Sequence, residues 1–524
     1  MLAAVIPKSG NQFSSRSLWV DHFAASMISR VADDSKMTLS MELMNQAEVA
    51  EVEEDASRAF DVRQRTAHLV GLCGSGMRAL AEFLVDAGWR VSGSDLRVSP
   101  AEQSHFHDLG IAVSVGITPP EFTADLELLV YSPAVPETDT DRRRAGERGI
   151  EQLSYPQMLG RLMRDRVAVC VAGTHGKSTT TAMTGWILRS AGLAPGVIVG
   201  AELRELGRSG WDGGGRPIVV ESCEYQRHFW EYTPTNAAVL AVEPDHFDCF
   251  ANFDETRAAF ERFVRRLPAS GSLLVPALDP SGIDWQGVTA SRVETFGIER
   301  VADWSAVGIR TTRTGSRLTI QRAGTDWGTL ELPLPGRHNV VNALVAAALA
   351  TAAGANPLAC VRGLESFPGI RRRFENHGIW SGVTIIDDYA HHPTAIAATV
   401  DCARQQFPNQ RLVGVFQPHQ FSRTEALFEE FANALARLDM CFVSPVFTAR
   451  ERVEPVEAER TSERLCQRIS ELSGKAEFLV ALDPVPRTLD DSLRAGDVLL
   501  TMGAGDISQL HHAFTRRLQR NHGS

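Results

Sequence analysis

Lysine is almost absent from this chain: four residues in 524, against 49 arginines, and none between Ser178 and Gly474. No Cys-x-x-Cys pair occurs among the eight cysteines (73, 170, 223, 249, 360, 402, 441 and 466), so their spacing offers neither a zinc ribbon nor a disulfide framework. Basic tracts are short, the longest being Arg142-Arg143-Arg144 and Arg371-Arg372-Arg373, and the net charge is -11, which argues against a nucleic-acid surface. Long hydrophobic runs are missing as well. The apolar stretch from Ala343 to Ala353 is alanine-rich and too short to span a bilayer, and the opening residues lack the charged and apolar regions of a secretory signal. These absences lead to the expectation of a cytoplasmic protein without membrane or nucleic-acid partners. Its 44% apolar residues are enough for about three cores at roughly 150 residues each.

Against the scarcity of lysine, one of the four stands in Gly173-Thr174-His175-Gly176-Lys177-Ser178-Thr179-Thr180. Val167 to Val171 reads as a strand buried on both faces, and Met183, Trp186, Ile187 and Ala191 recur at helical spacing beyond the glycines. A strand-to-helix turn of this kind cradles phosphate oxygens on backbone N–H groups. It gives Lys177 reach to a terminal phosphate and offers the Ser178 hydroxyl to Mg²⁺. The loop is shorter than the general Walker pattern, because Val171 occupies the place of that pattern's first glycine.

Four segments are expected: an extension at 1–64, partly disordered, with an acidic cluster from Glu48 to Asp55; an α/β unit at 65–160; the phosphate-loop domain at 161–369; and a third α/β unit at 370–524. In the first unit, His68 to Val70 leads into Gly71-Leu72-Cys73-Gly74-Ser75-Gly76, and a second strand ends at Ser94-Asp95. Asp95 lies 19 residues after Gly76, about where a dinucleotide fold sets its ribose-binding acid, but Cys73 replaces the middle glycine of that fingerprint. In the central domain Pro217 to Val220 runs into Glu221 and Ala237 to Val242 into Glu243, which sets acids at the carboxyl ends of strands, and 270–335 reads as a small antiparallel excursion.

Further clusters carry candidate chemistry. Glu221-Ser222-Cys223-Glu224-Tyr225 and Asp245-His246-Phe247-Asp248 supply carboxylate and imidazole for a divalent ion. Asn339 and Asn342 open an alanine-rich helix and are candidates for a base edge, though an Asn there is also an ordinary cap. Asp387-Asp388-Tyr389-Ala390-His391-His392-Pro393 and Gln417-Pro418-His419-Gln420-Phe421-Ser422-Arg423 gather acids, imidazoles and a guanidinium suited to a small zwitterion.

Taken in order from Gly71 to Arg423, these motifs resemble the Mur ligase family, the ATP-dependent amide-forming enzymes of peptidoglycan precursor synthesis. The resemblance implies a Rossmann-like N-terminal domain, a central P-loop mononucleotide-binding ATPase domain and a Rossmann-like C-terminal domain. It implies that Gly74, Ser75, Gly76, Met77, Ser94 and Asp95 hold the UDP-sugar, so that NAD is not expected. Gly173 through Thr179, with Asn339, Arg373 and Asp388, would hold ATP. Ser178, Glu221 and His246 would hold Mg²⁺, and Lys177, His246 and Arg373 would act on the transferring phosphoryl. Tyr389, His391, His419 and Arg423 would form the amino-acid pocket. Gln420 stands where the alanine-adding members commonly carry a second arginine, and Cys223 departs from their usual acid-rich run, which leaves both Glu221 and Glu224 open as the main metal ligand. Later members of the family carry a carbamylated lysine downstream of the histidine motif, and this chain has no lysine there. The implied reaction joins L-alanine to UDP-N-acetylmuramic acid, in a monomer or weak homodimer. A tripeptide-attaching recycling ligase and a non-ligating sugar-nucleotide sensor ATPase stand as alternatives.

Overall fold

The computed structural model describes residues 65–116, 122–312, 314–473, 475–482, 486–510 and 513–514; the extension expected at 1–64 lies outside the described residues. Among the described residues three sheets follow one another. The first is wholly parallel, in the order Ala112–Val115, Arg90–Asp95, Thr66–Val70, Leu128–Tyr131 and Glu151–Ser154. Its central strand, Thr66–Val70, is buried throughout, as a both-face-covered parallel strand must be. Its crossover helix Pro100–Asp108, and the helix Tyr155–Met163 that leads from its last strand to the central sheet, start on complete capping boxes, Ser99 with Glu102 and Ser154 with Gln157, each with proline in the first turn.

Ten strands make the central sheet. From Val167–Ala172 it extends one way through Asn236–Val239, Ser272–Pro276 and Arg292–Ile298 to Trp304–Thr311, Ser316–Arg322 and Thr325–Leu332; the other way lie Pro217–Glu221, Gly196–Leu203 and Arg208–Asp212. The antiparallel part is narrower than 270–335. Ser272–Pro276 and Arg292–Ile298 pair in parallel, and only the last three strands of that arm alternate in direction. The strand expected to run from Ala237 to Val242 stops at Val239, because the backbone beyond it turns to the phosphate loop: Thr174 N–H donates to Ala241 O at 2.8 Å.

The helix Lys177–Ser190 is buried on nearly every side, and the alanine-rich helix Arg337–Ala352 packs beside it, small side chains allowing close approach. One hydrophobic core covers one face of this sheet together with the first domain, and a second fills the opposite face. The join between the first two sheets is tight. Buried Glu82, on helix Ser75–Asp86, accepts Ser209 N–H at 2.7 Å and Gly210 N–H at 2.8 Å from the edge strand. A Cβ at Gly210 would stand 1.8 Å from Ala79 O, so only glycine permits this contact.

The third sheet runs Glu375–Trp380, Val383–Asp388, Val498–Met502, Leu412–Phe416, Met440–Val443 and Ala476–Phe478, all parallel except the first pair. In its last strand Phe478 pairs with Val443, where the neighbouring strand ends. Among the described residues no helix is long and apolar enough to cross a membrane.

Candidate active site

The phosphate loop is built on two glycines that need positive φ, Gly173 at 126° and Gly176 at 78°. A Cβ on Gly173 would meet Leu240 N at 2.8 Å, and one on Gly176 would meet Asn342 Oδ1 at 2.5 Å. Helix Lys177–Ser190 starts directly after Gly176 with no side-chain cap, so its first N–H groups remain directed at an anion. Lys177 Nζ donates to Gly173 O at 2.6 Å and to Glu224 Oε2 at 2.9 Å. Burial opposes its charge, but Glu224 beside it pushes the pKa up, so the ammonium persists.

The two open candidates for metal binding separate in space. The Ser178 hydroxyl donates to Glu221 Oε1 at 2.9 Å, whereas Glu224 lies between Lys177 and His246, whose Nε2 is 3.8 Å from Glu224 Oε1. His246 adopts a left-handed φ of 55°, and its Nδ1 is buried without a partner. Burial lowers its pKa, leaving a neutral imidazole able to ligate. Ser178 and Glu221 offer hard oxygens that fit Mg²⁺, while the His246 imidazole stands beside Glu224. Cys223, Glu224 and His246 also gather, with ligand atoms within 4.8 Å of one another. Burial pushes the Cys223 thiol up to about 12, so it stays protonated at rest.

Asn339 and Asn342 do different work from each other. Asn342 accepts from Thr180 Oγ1 at 3.2 Å and donates to Asn339 Oδ1 at 3.3 Å, so it braces the loop helix, while Asn339 Nδ2 donates to Pro335 O at 2.7 Å. At the start of the third domain Arg372, with φ of 58°, pairs with Asp387 at 3.2 Å, and Arg373 lies over the Tyr389 ring at 5.2 Å. Asp388 accepts the N–H groups of Phe374 and Ala390, both at 2.8 Å; burial raises its pKa to about 6 despite Arg373 nearby.

Tyr389, His391, His419 and Arg423 come together. The rings of Tyr389 and His391 are 5.3 Å apart and those of His391 and His419 5.9 Å. Arg423 is 2% exposed, with Nη1 donating to His419 O at 3.2 Å and Nε to Asp245 Oδ1 of the central domain at 2.7 Å. Burial works against the Asp245 charge, but the guanidinium holds its pKa well below the usual carboxylate range. Burial and Arg423 bring His419 down to about 4, and burial takes His391 well below the ordinary histidine value. His391 Nδ1 lies 2.8 Å from Tyr389 O, which makes that nitrogen the donor and leaves Nε2 as an acceptor. Gln420 holds φ of 69° at the start of helix Phe421–Ala426, its Nε2 buried without a partner, and Glu451 accepts the Phe421 N–H.

In the first domain Gly74, Ser75, Gly76 and Met77 open helix Ser75–Asp86, again with no side-chain cap. A Cβ on Gly76 would press on Tyr155 Cζ at 2.8 Å. Asp95 accepts Cys73 N–H at 2.9 Å and so holds the glycine loop, while the Ser94 hydroxyl is committed inward to Asp141 at 2.5 Å.

Contacts between the central and third domains went unforeseen in the sequence. Thr394 Oγ1 donates to Glu243 Oε2 at 2.7 Å, and Arg450 pairs with Asp248 at 2.9 Å while stacking over Tyr225 at 3.8 Å. Neither Thr394 nor Arg450 belongs to a motif, so only the tertiary fold reveals them.

A phosphate loop joined to a basic, imidazole-lined pocket on a third domain is the arrangement of an ATP-dependent ligase, and the chain belongs to the Mur ligase family. Three family models match it in sequence order: Mur ligase family, catalytic domain, over 66–167; Mur ligase middle domain over 171–350; and Mur ligase, glutamate ligase domain, over 372–505. The UDP-N-acetylmuramate--L-alanine ligase of Salinibacter ruber is 37% identical over 470 residues, covering 88% of this chain and 97% of that protein. The crystal structure of UDP-N-acetylmuramate-alanine ligase MurC from Thermotoga maritima superposes with a TM-score of 0.71 at 26% identity, covering 87% of this chain and 99% of that one. A UDP-N-acetylmuramate:L-alanyl-gamma-D-glutamyl-meso-diaminopimelate ligase from Neisseria meningitides is similar at 28% identity and a TM-score of 0.53, over 59% of this chain and 100% of its own.

Proposed function

We propose that this chain joins L-alanine to the lactyl carboxylate of UDP-N-acetylmuramic acid, giving UDP-N-acetylmuramoyl-L-alanine, ADP and phosphate in the cytoplasm. The observation that carries the amino-acid assignment is the buried Arg423 guanidinium with His391 and His419 beside it, at the seam with Asp245 and His246 of the central domain. A guanidinium recognises a carboxylate, and a neutral imidazole tolerates an incoming amine. The lactyl carboxylate attacks the γ-phosphorus, Lys177 neutralises charge moving to the β–γ bridge, and an acyl phosphate forms. The amine of alanine then attacks the acyl carbon, with His391 Nε2 available to take its proton, and phosphate departs from the tetrahedral intermediate. Ser178 and Glu221, with His246, would hold Mg²⁺, which screens the phosphate charges. Because an acyl phosphate hydrolyses readily, the third domain serves to exclude water while the amine arrives.

Phosphate release from ATP tests this assignment, with Mg²⁺ and UDP-N-acetylmuramic acid present and each amino acid added in turn. Release that depends on alanine is expected. Release indifferent to any amino acid would indicate a sensor ATPase, and release only with L-alanyl-γ-D-glutamyl-meso-diaminopimelate would indicate the recycling ligase. Arg423→Ala is expected to raise KM for alanine by at least about tenfold, the loss of a charge-assisted hydrogen bond.

A further inference from the structure

We propose that His175, Glu243 and His392 form a second divalent-ion site, selective for a zinc-class transition ion, that ties the central domain to the third. His175 comes from the phosphate loop, Glu243 from the segment beyond strand Asn236–Val239, and His392 from the turn before helix Pro393–Gln406. Their ligand atoms all lie within 4.8 Å of one another. The three converge on one oxygen: Glu243 Oε2 is 3.3 Å from His175 Nε2 and 3.9 Å from His392 Nδ1. Tetrahedral zinc, with ligands at about 2.0 Å, sets them about 3.3 Å apart, so the first pair already has the spacing and the second needs a shift of about 0.6 Å.

A second observation singles out His392. The residue is 5% exposed, and its Nδ1, which faces Glu243, receives only a long 3.4 Å contact from Thr394 N–H, the cap of helix Pro393–Gln406. An ion at Nδ1 therefore replaces one weak hydrogen bond. Glu243 is held in place by the Thr394 hydroxyl at 2.7 Å, the kind of supporting hydrogen bond that orients a ligating carboxylate. Burial and the neighbouring His175 keep His392 neutral, while His175 and Thr394 hold Glu243 ionised against the effect of burial. Two imidazoles and one carboxylate select zinc, cobalt or nickel over Mg²⁺, which demands oxygen octahedra. The three protein ligands leave a fourth position open beside the phosphate loop.

The site rests on these side chains and not on the reaction assigned above, and its test measures binding alone. Full-length protein is titrated with Zn²⁺ and, separately, Co²⁺ in an excess of Mg²⁺, following stoichiometry by equilibrium dialysis and the cobalt spectrum. One ion per chain is expected, with the intense visible bands of low-coordinate cobalt and no near-ultraviolet thiolate charge-transfer band. His392→Ala and Glu243→Gln are expected to weaken binding at least about 100-fold, and Cys223→Ser to leave it unchanged. Binding retained in His392→Ala overturns the site. So does a thiolate band lost in Cys223→Ser, which would move the ion to the Cys223, Glu224 and His246 cluster, and so does an absence of stoichiometric binding. Should His392→Ala fail to fold, the presence or absence of the thiolate band in the unaltered protein still decides between the two clusters.

Discussion

Lys177 and Glu224 are bound to each other more tightly than either is to solvent. Their side chains are 12% and 2% exposed, the pair is 2.9 Å long, and Lys177 also anchors on Gly173 O. Removing one member of such a pair leaves a buried charge with no counterpart, which typically costs about 3–5 kcal/mol, whereas replacing both is close to neutral. Lys177→Met is therefore expected to lose both activity and stability, and the loss of stability by itself would explain nothing about catalysis. The double variant Lys177→Met, Glu224→Gln separates the two: its urea midpoint should return to near that of the unaltered protein while ATP-dependent ligation stays abolished. Ligation restored along with the midpoint would show that the ammonium serves only the fold. Glu221 differs from Glu224 because its partners are Gly200 N–H and the Ser178 hydroxyl. Glu221→Gln should leave stability within about 1 kcal/mol, since the amide oxygen still accepts, and should raise the Mg²⁺ concentration needed for half-maximal rate, a shift read directly from a magnesium titration.

At the scale of one element, the phosphate loop shows how a turn is held from outside. Gly176 needs its left-handed φ, and its missing Cβ makes room for Asn342 on the neighbouring helix Arg337–Ala352. Gly176→Ala is expected to cost about 1–2 kcal/mol for the backbone alone and to push Asn342 away from Thr180, lowering nucleotide affinity at least tenfold by calorimetry. Unchanged affinity would mean that the loop does not depend on that brace. The loop itself was legible in the sequence, because glycines, an isolated lysine and a valine-rich strand are local signals. Asn342 was legible only as an amide near a helix start. Its contact with Thr180 spans 162 positions along the chain, and no local pattern encodes that distance. The same holds where strand Asn236–Val239 ends: apolar residues continue to Val242, but Ala241 O is taken by Thr174 N–H, so tertiary bonding overrides the period of the sequence. His391 and Arg423 stood out through their motifs. That Arg423 lies against Asp245, 178 positions away, depended on how the third domain meets the second.

Across the whole molecule, imidazoles buried in neutral form set the response to acid. His228 and His338, half-buried in the central domain, and buried His392 and half-buried His419 in the third, have pKa values brought down to about 4, with loss of solvent the foremost cause in each. His391 and His246 are lowered in the same direction. A group whose folded pKa lies below its unfolded value of about 6.5 takes up protons in the unfolded chain first. The stability it contributes is complete above pH 6.5 and is lost as pH falls from there toward 4. Asp388 acts the other way. With its folded pKa near 6 and an unfolded value near 3.8, it stabilises the fold more as pH falls through that interval and so offsets part of the loss. Glu243 and Asp245, whose pKa values are lowered, lose their contribution only below the ordinary carboxylate range, outside this window. One such histidine is worth about 2 kcal/mol between pH 7 and pH 5, since every tenfold difference in proton affinity between the folded and unfolded chain amounts to about 1.36 kcal/mol. Six of them outweigh the two opposing carboxyls, Asp388 and its neighbour Asp387, whose pKa burial also raises. The free energy of unfolding is therefore expected to fall by at least about 2 kcal/mol from pH 7 to pH 5, with a shallower slope in His338→Gln than in the unaltered chain. A urea midpoint that holds steady or rises over that interval would mean that these imidazoles already carry protons in the folded protein. The neutral pocket built around His391 and His419 would then not exist in the form the amine of alanine requires.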